Sequence, residues 1–412
     1  MSLSSPQGTY NNTSLQTVHF GPGIVSAALP ASLAKLGAKK AFVLTGNSLA
    51  TKTDIIKDIQ SVLGDAHGTT FHSIGEHAPV SGIRDATNQI KQVGADVIVA
   101  VGGGSPIDAA KAISYFIHEN DQSTKGNDHP DSFIPIIAIP TTLSVAETTA
   151  NAGYKSDDGD KIGVHHPAVI PRTIIYDAQL TLATPQRLWL STGMRAVDHA
   201  IEFLYRFDTH PLLRGQVYNA IRELFTFLPL SKRSPDDVDI RQRLQLAAFI
   251  SLWPELRRGA LGLSHGLGHK LGATYAIGHG ITSCLTLSPA IIHTAQSDET
   301  PLEALAALAG ALEYIPAPFN PSPQPLAPAV GSATSLDAAQ LRSKGAEVGK
   351  AVDRLVRDLD LHVTLKSQGV PREDLEKITQ RTLGADKPSD SDEYRKILEL
   401  LEGIYDDQQG QL

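Results

Sequence analysis

Asp96-Val-Ile-Val-Ala-Val-Gly-Gly-Gly-Ser-Pro-Ile-Asp-Ala-Ala-Lys111 is the stretch that decides the fold. A short apolar run, three glycines and a serine-proline pair opening an alanine-rich segment read as a strand, a tight turn and a helix start. Glycine lets a backbone approach a bound group closely, Ser105 is placed to cap the helix, and Pro106 suits the first turn. The unpaired N–H groups at such a helix start, with the helix dipole, attract anions, so the segment reads as a cradle for a dinucleotide diphosphate. Its spacing is not Gly-x-Gly-x-x-Gly, and a purely structural turn is the competing reading.

Around this segment, from Ala41 to about Pro140, further short apolar runs alternate with helical-period stretches: Ala41-Phe-Val-Leu-Thr45, Leu49 to Leu63, Thr69 to Ile74, Ile83 to Val93, Asp108 to Ile117 and Ile136-Ile-Ala-Ile-Pro140. Continuous apolar strands separated by helices imply crossover units and a parallel sheet covered on both faces. Between Asn151 and Tyr176 a Gly/Asp-rich stretch reads as a hairpin or loop before a last strand, Thr173–Asp177. Beyond about Leu180 long helical periods take over, around 193–207, 211–228, 240–256 and 341–361. The expected architecture is therefore a Rossmann-like α/β dinucleotide-binding domain over residues 1–180 and an all-α domain over 181–412. A proline-rich insertion at about 315–336 reads as a mobile surface segment.

The second chemical signal is Leu263-Ser-His-Gly-Leu-Gly-His-Lys-Leu-Gly-Ala-Thr-Tyr-Ala-Ile-Gly-His279-Gly, which sets His265, His269 and His279 among glycines and small apolar residues. Gly193-Met-Arg-Ala-Val-Asp-His199 adds a fourth histidine on a second helix. Imidazole is both a common metal ligand and the side chain most easily tuned for proton transfer near neutral pH. Helical spacing puts Arg195 and His199 on one face, and His265 and His269 on another. Histidines satisfied inside a glycine-rich core are the bland alternative. The His265-x-x-x-His269 pair lacks the glutamate of a zinc-protease helix, and His165 and His166 read as loop residues. Asp198 points roughly 100° away from its neighbour His199, a poor ligand position but one suited to pairing with Arg195 or Glu202.

Composition excludes several classes. The 412 residues exceed one ordinary core, which favours two domains. With 36 basic against 44 acidic residues the net charge is -8, which argues against a nucleic-acid partner. No uncharged apolar run of about 18 residues or more appears, and the first residues lack the basic and apolar regions of a signal peptide, so no membrane association and a cytoplasmic location are expected. A single cysteine, Cys284, leaves no internal disulfide or thiolate cage and reads as a buried thiol.

Taken together, Gly102–Lys111, Pro140-Thr-Thr-Leu-Ser-Val-Ala-Glu147, Gly193–His199 and Leu263–Gly280 resemble the iron-containing (group III) alcohol dehydrogenase family, and within it the maleylacetate reductase branch. The likeness runs over nearly the whole chain, from Phe20-Gly-Pro-Gly to the final helix at Tyr394–Tyr405, and is weakest at the insertion. It implies the dehydroquinate synthase-like fold and, for Gly102, Gly103, Gly104 and Ser105, contact with the diphosphate of a nicotinamide cofactor. Asp108 would stand near the substrate side, and Thr141, Thr142 and Leu143 would touch the cofactor. Lys161 matches a family lysine facing the ribose and nicotinamide, although a lysine in a polar loop is by default a solvated charge. Where the alcohol dehydrogenases continue Ala-Gly-Thr-Gly-Ser-Glu, this chain has the shorter Leu143–Glu147. The strand end Leu44-Thr45-Gly46-Asn47-Ser48 has no carboxylate to repel a 2′-phosphate, so Gly46 and Asn47 favour NADPH with NADH tolerated.

Metal-binding members of the family would place ligands at positions 195, 199, 265 and 279. Here His199, His265 and His279 are present, but Arg195 stays protonated and cannot coordinate a metal. A guanidinium welcomes a substrate carboxylate instead, and the maleylacetate reductase branch commonly replaces this aspartate and is thought to act without metal. A three-histidine iron or zinc site remains the alternative. The resemblance thus implies hydride transfer from NAD(P)H to a carbon–carbon double bond conjugated to a carbonyl and a carboxylate of a small substrate. The nicotinamide would lie in the cleft between domains, Arg195 and the histidines would bind carboxylates and enolate, and His269 or His265 would return the proton. Competing readings are a metal-dependent alcohol dehydrogenase or aldehyde reductase and a non-redox, dehydroquinate synthase-like lyase. A homodimer is expected.

Overall fold

A computed structural model describes residues 12–75, 78–157, 161–206, 211–254, 261–319, 336–384 and 388–406. Its main sheet has six strands: β1 (Thr17–Phe20), β2 (Ala41–Gly46), β3 (His67–Ile74), β4 (Val97–Gly102), β5 (Ile136–Pro140) and, after the antiparallel hairpin β6 (Asn151–Lys155) and β7 (Lys161–His165), β8 (Thr173–Tyr176). All pairings in the order β1-β8-β5-β4-β2-β3 are parallel. The expected covered parallel sheet is thus present, and its alternation shows why the strands read as unbroken apolar runs. Phe42, Leu44, Ile98, Ala100, Ile136 and Ala138 pack on one face, against Ile83, Ala86 and Ile90 of the helix Val80–Val93 and against the helix Gly104–Asn120. Ala41, Val43, Val97, Val99, Val101, Ile137 and Ile139 pack on the other, against the helices Val25–Leu36 and Ile55–Leu63. Successive side chains point to opposite faces, so both periods of each strand are apolar.

The chain divides into two compact units, an α/β unit of residues 9–185 with 235–258, and a helical unit of residues 186–234 with 259–412. Residues 235–254, which by sequence belong to the helical half, therefore pack in the α/β unit. The helix Val238–Ser251 is tied there by Arg241 Nη1 to the Thr181 carbonyl at 2.6 Å and by Gln245 Nε2 to the Pro140 carbonyl at 3.2 Å.

In the helical unit the helix His279–Gln296 packs against Gln186–Tyr205, Leu263–Tyr275 and Ala338–Asp358. Its crossing with Gln186–Tyr205 is so close that a Cβ at Gly280 would collide with the Ser191 carbonyl oxygen. The insertion lies mostly outside the described residues, at 320–335. Among the described residues, no helix is long and apolar enough to cross a membrane.

Candidate active site

β4 ends at Gly102 with φ +133°, a backbone region L side chains rarely adopt, and the chain turns at once into the helix Gly104–Asn120. The helix is capped by Gly103 and not by Ser105, because it begins two residues earlier than expected; Ser105 lies inside its first turn. A glycine cap offers no side chain, so nothing of its own competes for the first amides. The segment after β5 closes over this turn. The Thr141 amide donates to the Gly102 carbonyl at 2.9 Å, and Thr142 Oγ1 donates to Ser144 Oγ at 3.1 Å. A Cβ at Gly103 would meet Thr142 Cγ2 at 3.3 Å, and one at Gly104 would meet Ser144 Oγ at 3.3 Å.

Gly102, Gly103, Gly104, Thr141, Thr142 and Leu143 are thus gathered at the carboxyl ends of β4 and β5, where open α/β sheets bind nucleotides. Gly46 ends the neighbouring strand β2, Asn47 opens the helix Asn47–Lys52 that follows it, and Thr45 faces Gly102 across the pair, 3.9 Å from a Cβ placed there. The bare helix start and the glycine turn fit a dinucleotide diphosphate. Asp108 is drawn toward the hairpin, where its Oδ2 accepts from the Gly153 amide at 3.4 Å. Lys161 opens β7 opposite Lys155, and its side chain lies outside the described residues.

Within the helical unit, Arg195, Asp198, His199 and Glu202 come from the helix Gln186–Tyr205, His265 and His269 from Leu263–Tyr275, and His279 opens the third helix. The four imidazoles form a chain with ring centroids 5.0 Å apart for His199 and His265, 6.3 Å for His265 and His269, and 5.8 Å for His269 and His279. All four expected histidines are brought together.

Asp198 and Glu202 have a larger part than the sequence indicated. The ring of His265 directs Nδ1 at both carboxylates, 3.1 Å from Asp198 Oδ1 and 2.7 Å from Glu202 Oε2. Asp198 Oδ2 also accepts from Ser264, Ser283 and Arg195. Glu202 caps the helix Leu263–Tyr275 from outside, taking the amides of Ser264 at 2.7 Å and His265 at 3.2 Å, because its own cap residue is Gly262. Only an acidic residue one turn past His199 hinted at this. Burial alone would raise the Asp198 carboxyl, yet His265, Arg195 and Ser283 together hold it below the usual carboxylate range. Burial and the nearby guanidinium press the His265 ring down, but the two carboxylates outweigh them and hold it above ordinary histidine.

Arg195 is buried, and its hydrogen bonds among the described residues, to Asp198 Oδ2 and Ser283 Oγ at 3.3 Å each, use Nη1. Asp198, Glu202 and His265 bring three metal-ligating atoms within 4.8 Å of one another, but the imidazole nitrogen among them is engaged in hydrogen bonds to both carboxylates. The donor set that resemblance points to for a metal ends in a guanidinium at position 195, so it does not fit a four-ligand metal centre.

A nucleotide-cradling α/β unit joined in one chain to a helical unit that carries a histidine cluster is the build of a dehydrogenase. The chain belongs to the iron-containing alcohol dehydrogenase family: the family model "Iron-containing alcohol dehydrogenase" matches residues 16–178, and its C-terminal counterpart matches 189–402. Membership makes it an NAD(P)-dependent oxidoreductase, which leaves the lyase reading without support. Among its relatives, maleylacetate reductase 1 of Cupriavidus pinatubonensis is 31% identical over 67% of this chain and 72% of its own length. The dehydrogenase FUM7 of Gibberella moniliformis is 29% identical over 61% of this chain and 66% of its own. A maleylacetate reductase structure from Agrobacterium tumefaciens superposes with TM-score 0.75 over 97% of this chain and 99% of its own at 23% identity, a likeness that carries the fold.

Proposed function

We propose that the protein is a maleylacetate reductase-type enzyme that saturates a carbon–carbon double bond conjugated to a carbonyl and a carboxylate, without a metal. The observation that carries this reading is Arg195, a buried cation beside the histidine cluster whose hydrogen bonds among the described residues engage Nη1. Its similarity to a maleylacetate reductase supports the same substrate class.

In this reading the α/β unit takes the cofactor on Gly102, Gly103, Gly104, Ser105, Thr141, Thr142 and Leu143, with Asp108 and Lys161 toward the nicotinamide end. Bound NAD(P)H supplies a hydride. Arg195 holds a substrate carboxylate, and His199, His269 and His279 surround the developing enolate with donors, the electrostatic work a Lewis acid would otherwise do. His265 returns the proton to the α-carbon: with Nδ1 held by two carboxylates, its other nitrogen is the one that faces a ligand. Thr45-Gly46-Asn47 lacks a carboxylate, which supports NADPH with NADH tolerated. A cytoplasmic homodimer belongs to the same reading and rests on the sequence.

A second reading has one observation in its favour, the close ring spacing of His199, His265, His269 and His279. Three histidines with water can hold a catalytic zinc or iron, which would make an alcohol dehydrogenase or aldehyde reductase. Arg195→Ala separates the two. It should lower kcat/KM for maleylacetate on the order of a hundredfold, the worth of a charge-assisted paired contact, while NADPH binding is kept. Unchanged kinetics would overturn the proposal.

A further inference from the structure

Lys111 is, among the described residues, the one wholly buried lysine side chain in the α/β core, with no solvent exposure at all. It sits two turns into the helix whose start forms the cradle, and it reaches across to the segment that closes over that cradle. There Nζ donates to the Ala146 carbonyl, to Thr149 Oγ1 at 3.1 Å and to the Asn151 carbonyl at 2.9 Å. Three acceptors use all three hydrogens of an ammonium, and a neutral amine has only two to give. Burial presses the ammonium down from ordinary lysine, and Asp108 Oδ1 at 3.8 Å works against that, together with Glu147, whose own carboxyl burial pushes up.

The segment it grips is strained. Val145, a buried β-branched residue, holds φ +61° in the left-handed region, one residue before the gripped Ala146 carbonyl. Such a conformation persists only where surrounding contacts over-determine it. On the near side of Val145 stand Thr142 and Ser144, the residues that press on Gly103 and Gly104. The segment is therefore held at two ends, by the glycine turn before Val145 and by Lys111 after it.

We infer that Lys111 is the positioning residue of the cofactor cradle: a buried ammonium that clamps the left-handed turn at Val145 and so seats Thr142 and Ser144 against the diphosphate-binding glycines. It touches no substrate and acts through the turn. The inference rests on the assignment of Gly102–Gly104 as the diphosphate site, so the test carries a control for that assignment.

The experiment is NADPH fluorescence titration of the full-length protein, beside its melting temperature. Lys111→Met, similar in length but without donors, raises the NADPH Kd about tenfold or more, as expected when hydrogen bonds to a charged group are lost. Lys111→Arg does not restore it, since a planar fork cannot deliver three tetrahedral donors. Glycine adopts the left-handed turn without steric cost, so adding Val145→Gly to Lys111→Met recovers most of the affinity even though it removes buried side chain. Should Lys111→Met fail to fold, Thr149→Val removes one acceptor and gives a smaller rise in Kd. A lowered melting temperature with unchanged Kd in these variants overturns the inference. If Gly102→Ala also leaves Kd unchanged, the cradle assignment itself falls; if Gly102→Ala weakens binding and the Lys111 variants do not, only the role of Lys111 falls.

Discussion

Arg195 and Asp198, one turn apart on the same helix and both buried, are joined Nη1 to Oδ2 at 3.3 Å. The same carboxylate receives His265, Ser264 and Ser283, so a single side chain from the helix Gln186–Tyr205 ties down groups on both other site helices. Removing it leaves a buried guanidinium and imidazole short of countercharge. Asp198→Ala should cost about 3–5 kcal/mol in urea unfolding of metal-free protein. A loss below about 1 kcal/mol would show that Glu202 alone compensates both cations.

The same network sets a pH dependence. Asp198 is held below its unfolded value of 3.8, so its contribution is complete above that value and is lost as pH falls through the lower folded value. His265 is held above its unfolded value of 6.5, so its contribution is complete below 6.5 and is lost as pH rises through the higher folded value. Between those unfolded values both act fully. The stability advantage of the wild type over Asp198→Asn, measured by denaturant midpoints without metal, should shrink as pH is raised from about 5.5 to about 8.5. An advantage constant over that range would contradict the assignment.

Gly102 tests the cradle by its backbone. At φ +133° any side chain is strained, and a Cβ there would also press on Pro106 Cγ at 3.3 Å. Gly102→Ala should weaken NADPH binding by roughly tenfold or more, from about 1–3 kcal/mol of strain, with the helical unit's far signals in two-dimensional NMR unmoved. Equal NADPH affinity would place the diphosphate elsewhere.

Cys284 should be inert in the native protein, since burial pushes its thiol up to about 12. Native protein at about pH 8 should react slowly with Ellman's reagent, and denatured protein should release one equivalent at once. Rapid stoichiometric labelling of native protein would show that the helix His279–Gln296 opens readily.

The sheet was legible because Val97–Val101 and Ile136–Ile139 are apolar at every position, a pattern that only burial on both faces explains. Strand β1 was not, since Thr17–Phe20 is a half-exposed edge of four residues with no such pattern. Helical periodicity announced the helix Val238–Ser251 but not its neighbours, and it takes Arg241 and Gln245, reaching the Thr181 and Pro140 carbonyls, to assign it to the α/β unit. In the site, the four-residue spacing of His265 and His269 showed one face of a helix, whereas the placing of His199 and His279 beside them came from family resemblance. Glu202 was hidden for a physical reason: it caps a helix that begins about sixty residues later in the chain.

The most direct test of a metal-free carboxylate site is NADPH oxidation by chelator-treated protein, its metal content checked by elemental analysis, with maleylacetate and a short-chain aldehyde compared. The account predicts rapid turnover of maleylacetate at negligible metal content and little with the aldehyde. Silence toward maleylacetate, with aldehyde reduction restored by added zinc or iron, would contradict it and make His199, His265 and His279 metal ligands.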